Sequence, residues 1–208
     1  MCHLLDVGAS TGIIDNYLSS TFFHVTGIDI DEAAISYAAK TFDKDNLDFQ
    51  IGDAMDLHFP DNCFDVVICA HVYEHVPDAV VMFDQIYRVL KPGGVCYFSA
   101  GNRLMVNEPH YNHKFLSVMP RPLAHLYLRL LSRGNHYYEK HLTYWGLKQL
   151  IRKFECQDYT IRLVEQPDKY FIDYMLVKNS LKAKLATIVL KYSYWLFPGY
   201  IWLLKKPS

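Results

Sequence analysis

Leu4–Gly12 reads LLDVGASTG, and this stretch decides the fold. Leu4, Leu5 and Val7 form an apolar run that predicts a strand. Gly8 ends it, and Gly12 falls where a helical pattern (Ile13, Ile14, Tyr17, Leu18) begins. A strand, a tight turn and a helix start predict a small-ligand site ringed by free backbone N–H groups, with glycine where a Cβ would block close approach. The next two strands repeat the arrangement. Phe23–Ile28 is followed by Asp29, 23 residues after Asp6, close to the roughly 20-residue spacing at which a carboxylate meets ribose hydroxyls in dinucleotide folds. Leu47–Ile51 is followed by Gly52, Asp53 and Ala54. Open parallel sheets bind ligands outside the carboxyl ends of their strands. Three acids at that edge suit a ligand with hydroxyls, an amine and an exocyclic amino group, and suit a pyrophosphate badly.

The rest of the chain continues the alternation. Strands are expected near 2–7, 23–29, 47–51, 64–70 and 94–100, and helices near 12–20, 31–42 and 78–91. The last helix meets a stop at Lys91-Pro92-Gly93-Gly94. A helix near 143–154 and strands near 157–165 and 170–178 follow. Such alternation predicts an α/β domain with a parallel sheet and helices on both faces. A length of 208 residues fits one domain with extensions, and 51% hydrophobic residues allow a sizeable core. A net charge of -1 argues against nucleic acid as partner. Cys2, Cys63, Cys69, Cys96 and Cys156 are scattered and form no CxxC pair, which reads as reduced cysteine in a cytoplasmic protein.

Several motifs in order resemble class I S-adenosylmethionine-dependent methyltransferases, in particular the small-molecule branch (type 11) that includes ubiquinone-pathway methylases. LLDVGASTG is similar to that family's first motif, and VTGIDIDEAAISYAAK to its second strand, ribose-binding acid and next helix. FQIGDAMDLHFPDNCFDVVICAHVYEHV resembles the adenine-binding turn, fourth strand and following loop, and FDQIYRVLKPGGVCYFSA the helix, glycine turn and fifth strand. The resemblance implies a Rossmann-like, doubly wound, mostly parallel seven-stranded sheet closed by an antiparallel C-terminal hairpin. It implies S-adenosylmethionine as cofactor and assigns roles by matching position. Gly8, Ser10 and Gly12 would admit the methionine part, and Asp6 would orient the turn or the amine. Asp29 would take the ribose hydroxyls and Ile30 would pack on adenine. Asp53 would accept from the adenine amino group, and the Ala54 backbone would read the ring edge. Two departures stand out. Ser10 replaces the family's usual glycine, and the chain starts almost on the first strand, where the family normally has a covering segment. The methyltransferase domain is therefore assigned to 1–178 as N-terminally short.

Two segments exceed that minimal fold. Residues 101–140 are too long for an ordinary connection and carry an apolar helical run with His110 and His113. They are read as a substrate lid, with a self-packed surface insertion as the alternative. Residues 179–208 are read as an apolar, amphipathic helical extension. Leu181, Leu185, Ile188, Tyr192 and Trp195 share one helical face. Lys191 and Pro198 interrupt the window, so the tail would not span a bilayer. Peripheral membrane contact through Trp195, Trp202 and the flanking lysines stands beside packing on the domain or on a partner. The oligomeric state stays open.

Methyl transfer from a sulfonium is a direct displacement, so the protein mainly binds, orients and dehydrates. A hydroxyl acceptor also benefits from a base, and His71, Glu74 and His75 follow the fourth strand. His71 and His75 are the catalytic candidates, with His110 and His113 as alternatives. In the similar O-methylases this loop reads Glu-x-x-Glu-His and is associated with a divalent metal. Here His71 replaces the first acid, and no metal ligand is assigned. The expected activity is methyl transfer to an oxygen of a small-molecule acceptor of lipid, quinol or sugar type, lipid-linked intermediates included. The rival readings are a non-catalytic module of the same fold, a truncated fragment, and an NAD(P)-dependent oxidoreductase. The G-x-x-x-G spacing of Gly8 and Gly12 argues against the last.

Overall fold

The computed structural model describes residues 1–208. Strand β1 (His3–Val7) lies at the centre of the sheet, and Leu4, Leu5 and Val7 are at most 1% exposed. That burial explains why the run is continuously apolar, as in parallel strands covered on both faces. After α1 (Ile13–Leu18), β2 (His24–Asp29), α2 (Glu32–Thr41), β3 (Leu47–Ile51), β4 (Phe64–Ala70), α3 (Ala79–Val89) and β5 (Leu90–Gly101) continue the alternation. Strands β1 and β2, β2 and β3, β1 and β4, and β4 and β5 pair in parallel. The two longer helices of this half start on aspartate caps. Asp31 accepts from the Ala33 and Ala34 N–H groups, and Asp78 from those of Val80 and Val81. Met82, Phe83, Ile86 and Val89 form the buried stripe of α3.

Then come the short hairpin β6 (Asn107–Glu108) and β7 (His113–Lys114), α4 (Arg121–Leu130), α5 (Tyr144–Leu150), β8 (Glu155–Asp158), α6 (Thr160–Glu165), α7 (Leu181–Tyr192) and β9 (Gly199–Lys205). The seven-stranded sheet has the order β3-β2-β1-β4-β5-β9-β8. Strand β9 runs antiparallel to β5. The Gly93 N–H donates to the Lys206 carbonyl and the Lys206 N–H to that of Gly94 at one end, and Asn102 donates to Pro198 at the other.

The mostly parallel sheet with an antiparallel partner matches the expected fold, but its last strand lies elsewhere. Residues 160–165 are helix and 170–178 are turns, not strands. The closing strand comes from the tail instead, where Tyr200, Trp202 and Leu204 alternate as 1%, 1% and 0% exposed residues. This period-two pattern sits beyond Pro198 and Gly199, which are a strand entry and not merely a helix break. Strand β5 also starts earlier than expected, at Leu90, directly after α3.

The chain divides into two compact units: residues 1–99 with 150–157 and 203–208, and residues 100–149 with 158–202. The second unit therefore combines the 101–140 segment with most of the tail. In the first unit, Leu4, Val25 and Leu47 form a core backed by Phe22, Phe42 and Phe49, and Phe83 meets Phe98 edge-on at 4.9 Å. Cys69 and Cys96 are free thiols buried among these residues. Lys206 Nζ donates to Asn62 Oδ1 and to the Tyr87 and Leu90 carbonyls at 2.7–2.8 Å. All three of its donors are thus satisfied inside the fold.

In the second unit, Leu116, Ala124, Leu128 and Tyr137 form one core, and Val164, Leu176, Ala183 and Leu190 another. Trp202 stacks on Tyr200 at 5.2 Å and donates its indole N–H to Asp158, which also accepts from Tyr194 Oη. Trp202 and Lys206 are therefore sheet components, and their expected membrane contact is corrected by burial. We expect Trp202→Ala to cost about 3–5 kcal/mol, from the large cavity and the donor lost to Asp158. Leu185→Ser on the exposed side of α7 should change stability by less than about 0.5 kcal/mol. Urea denaturation of the full chain checks both. A Trp202→Ala cost below about 1 kcal/mol would show that β9 is not anchored as described.

Candidate functional site

The turn after β1 is stitched to the end of β2. The N–H groups of Gly8 and Ala9 both donate to the Ile28 carbonyl, at 2.8 and 2.9 Å. The Ser10 N–H donates to Asp29 Oδ2 and the Asp31 N–H to Asp29 Oδ1, each at 2.9 Å. The Gly12 N–H donates to the Ala9 carbonyl. Of the N–H groups expected around the ligand, those of Gly8, Ala9, Ser10 and Gly12 are taken up by strand, turn and acid. Gly8 has φ +87°, and a Cβ there would sit 2.5 Å from Val72 Cγ2. Gly12, at φ +73°, is closed off by Phe49, 2.4 Å from where its Cβ would be. Gly12 is thus required for packing rather than for ligand approach. Ser10 also takes a left-handed backbone, φ 50°.

Beyond this turn lies a cleft of about 410 Å³ in the first unit, lined by Gly8, Asp29, Ile30, Asp53, Ala54 and His75 among others. Its size is that of a small-molecule site. Ile30 stands 76% exposed on its rim, an apolar surface that a flat ring would cover. Asp53 Oδ1 accepts from the Met55 N–H at 2.8 Å and fixes the turn after β3. The lining contains acids and histidines but no lysine or arginine.

Asp6 does not line the cleft. It is 4% exposed and hydrogen-bonded to Asp15, which is fully buried in α1. Burial, followed by the charges of Asp15 and Asp29, holds the Asp6 carboxyl well above the usual range. Burial also raises Asp15, from 3.8 to about 6. Burial thus favours the protonated carboxyl in this pair under the glycine turn. Asp15 was missed in the sequence because it reads as an ordinary first-turn acid of a helix.

The loop after β4 places His71 and His75 on the cleft. His71 adopts a left-handed backbone, φ 58°. Its N–H donates to the Ser99 carbonyl, its Nε2 lies 3.0 Å from Ser99 Oγ, and its Nδ1 lies 3.4 Å from Glu74 Oε1. Both ring nitrogens thus have fixed neighbours, and Glu74 itself is 1% exposed. His75 is exposed at the cleft, with its N–H on the Val72 carbonyl. His113 lies on β7 in the second unit, packed 5.6 Å from the Tyr127 ring.

Residues 5–98 match the family model described as methyltransferase domain. Ubiquinone biosynthesis O-methyltransferase of Psychrobacter cryohalolentis is 34% identical over 152 residues, 67% of this chain and 53% of that protein. The enzyme of the same name from Pseudomonas entomophila is 33% identical over 141 residues, covering 66% and 56%. Residues 5–98 form a class I S-adenosylmethionine-dependent methyltransferase domain. A solved S-adenosylmethionine-dependent methyltransferase from Methanosarcina mazei shares the fold of this chain, with a TM-score of 0.59 at 19% identity, over 99% of this chain and 92% of that one. The chain spans little more than half the length of the curated relatives it matches.

The cofactor of this methyltransferase family, S-adenosylmethionine, fits the cleft. Asp29 and Asp53 offer carboxylate acceptors, Ile30 offers an apolar platform, and the acidic lining favours a cation. A dinucleotide pyrophosphate would meet no basic side chain in this lining. In the loop after β4, His71 stands where the similar O-methylases have the first acid, and its Nε2 is engaged by Ser99 Oγ, so no metal is assigned to the loop.

The Asp6–Asp15 pair makes stability pH-dependent. Between about pH 4 and 6 the unfolded chain releases a proton that the folded pair keeps, so this contribution to stability falls as pH rises. Asp6→Asn supplies a permanent donor to Asp15. It should flatten that fall and stabilise the protein at pH 7 by on the order of 2 kcal/mol. Urea denaturation from pH 4 to 7 is the check. A slope equal to wild type would show that the pair does not keep that proton.

Proposed function

We propose that the chain is an S-adenosylmethionine-dependent methyltransferase acting on an oxygen of a small-molecule acceptor. The observation that carries this reading is the pairing of a cation-favouring cleft, built on Asp29 and Asp53, with exposed His75 on the same cleft. When bound, S-adenosylmethionine supplies an electrophilic methyl group. The chain's own residues then have three tasks. Asp29 accepts hydroxyl donors while Ser10 and Asp31 hold its carboxylate in place. Asp53 and the Ala54 backbone address an amino-bearing ring. His75 accepts the acceptor's proton at a ring nitrogen, and His71, braced by Ser99, shapes the loop that presents it. The shared name of the two relatives, O-methyltransferase, supports oxygen as the atom methylated.

Calorimetry and a methyl-release assay test this together. Asp29→Ala should weaken S-adenosylmethionine binding by about 1.5–3 kcal/mol in a folded protein. His75→Ala should leave binding near wild type and lower turnover on quinol, lipid-linked or sugar acceptors about 10²- to 10⁴-fold. Wild-type binding in Asp29→Ala would remove the ribose assignment, and full turnover in His75→Ala would remove the base.

A second reading concerns where the acceptor is met. Leu181, Leu185, Ile188 and Tyr192 share the exposed face of α7, at 54–75% exposure. From Tyr174 to Ser208 the chain holds six lysines and no acid. The second unit carries 13 Lys and Arg against 6 Asp and Glu, while the first carries 8 against 16. No helix is long and apolar enough to cross a membrane. An apolar stripe on a basic unit favours peripheral contact with an anionic bilayer, and with it a lipid-linked acceptor. The full chain should sediment with phosphatidylglycerol vesicles at low salt, release at high salt, and lose sedimentation in Leu185→Asp. Wild-type protein left in the supernatant at low salt removes this reading.

A further inference from the structure

The second unit holds a cluster to which the proposed methyl transfer, with His75 as its base, assigns no role. Glu108 closes β6, and its side chain is 0% exposed. His110 lies in the turn of the β6–β7 hairpin, and His141 precedes α5 with its side chain 1% exposed. Glu108 Oε1 lies 2.6 Å from His110 Nδ1 and 3.3 Å from His141 Nε2. The other oxygen, Oε2, accepts the Tyr111 N–H at 2.9 Å. Asn107 Nδ2 donates across the hairpin to Asn112 Oδ1 at 3.0 Å, which holds the turn that carries His110. Gly101 makes room for the buried ring, since a Cβ there would lie 3.3 Å from His141 Nδ1.

We propose that Glu108, His110 and His141 form a mononuclear site for a divalent transition metal such as Zn²⁺, Co²⁺ or Fe²⁺. Two imidazole nitrogens and one carboxylate oxygen converge from three positions of the chain, all within 4.8 Å of one another. This donor set is characteristic of such metals when coordination positions are left open. Both histidines address the same oxygen of Glu108, while a backbone N–H holds the other. An outer hydrogen bond of this kind orients a carboxylate ligand. Metal–ligand bonds of about 2.0–2.2 Å place tetrahedral neighbours roughly 3.3–3.5 Å apart, so His141 is already at spacing and His110 needs to move by less than about 1 Å. His110 is the partly exposed member, with 30% of its side chain accessible, and leaves an approach for water or an anionic oxygen. All three ligands come from residues 108–141.

The test uses the full chain stripped of metal with a chelator, then titrated with Co²⁺ by calorimetry and visible absorption. One equivalent should bind, with the d–d bands of a low-coordinate nitrogen and oxygen site. His110→Ala, which alters an exposed side chain, and Glu108→Gln should each weaken binding by about 100-fold or more, since even outer partners cost about 10- to 100-fold. His75→Ala should bind Co²⁺ like wild type. S-adenosylmethionine binding and circular dichroism report folding independently, so failure here leaves the methyltransferase reading untouched. Wild-type protein that takes up neither Co²⁺ nor Zn²⁺ overturns the proposal. So does Co²⁺ binding that survives His110→Ala and is lost in His75→Ala.

Discussion

The Asp29 carboxylate is the constraint on which the site depends. Its two oxygens hold the N–H groups of Ser10 and Asp31, and so tie the turn after β1 to the turn after β2. The Ile28 carbonyl adds the N–H groups of Gly8 and Ala9 to the same joint. A carboxylate that accepts two backbone N–H groups keeps further lone-pair sites, and these face the cleft. One residue therefore fixes the floor of the site and offers its recognition surface, with no basic side chain recruited. The buried Asp6–Asp15 pair completes this logic from below. Burial raises both carboxyls, which weakens the negative charge beneath the turn.

The sheet's first five strands were legible because the apolar runs of β1, β2, β3 and β5 end on glycine or aspartate, and because α2 and α3 start on Asp31 and Asp78. Asp29, Ile30, Asp53, Ala54 and the His71–His75 loop were legible by position, and they do meet on one cleft. Asp6 and Gly12 were misread because local sequence does not show what lies across the turn: Asp15 in one case, Phe49 in the other. The closing strand was missed for a different reason. The apolar residues of Leu181–Leu204 satisfy a helical period at first and a period of two only after Pro198, and the change of period is visible only when the two halves are read separately. Glu108 and His141 are 33 residues apart, so only the folded hairpin brings them together.

Charge is distributed unevenly along the chain. The unit that holds the cleft is acidic, and the unit that holds α4, α7 and the Glu108 cluster is basic. The near-zero total therefore conceals two opposite fields, each suited to a different ligand. The acidic field favours a cationic ligand and the basic one an anionic ligand. Neither was visible in the net charge, because the dividing lines run through the middle of β5, β8 and β9.

The position of β9 has a consequence for synthesis. Gly94 and Lys206 are 112 residues apart, yet the Lys206 N–H donates to the Gly94 carbonyl. The parallel strands β1 to β5 can assemble as the chain emerges, but the β5 edge lacks its partner until residues 199–205 have been made. Long-range pairing of this kind slows folding, and an unpaired edge is where nascent chains associate wrongly. The interval between making β5 and making β9 is thus a window of vulnerability on the ribosome. A ribosome-associated chaperone would have most to protect during that interval.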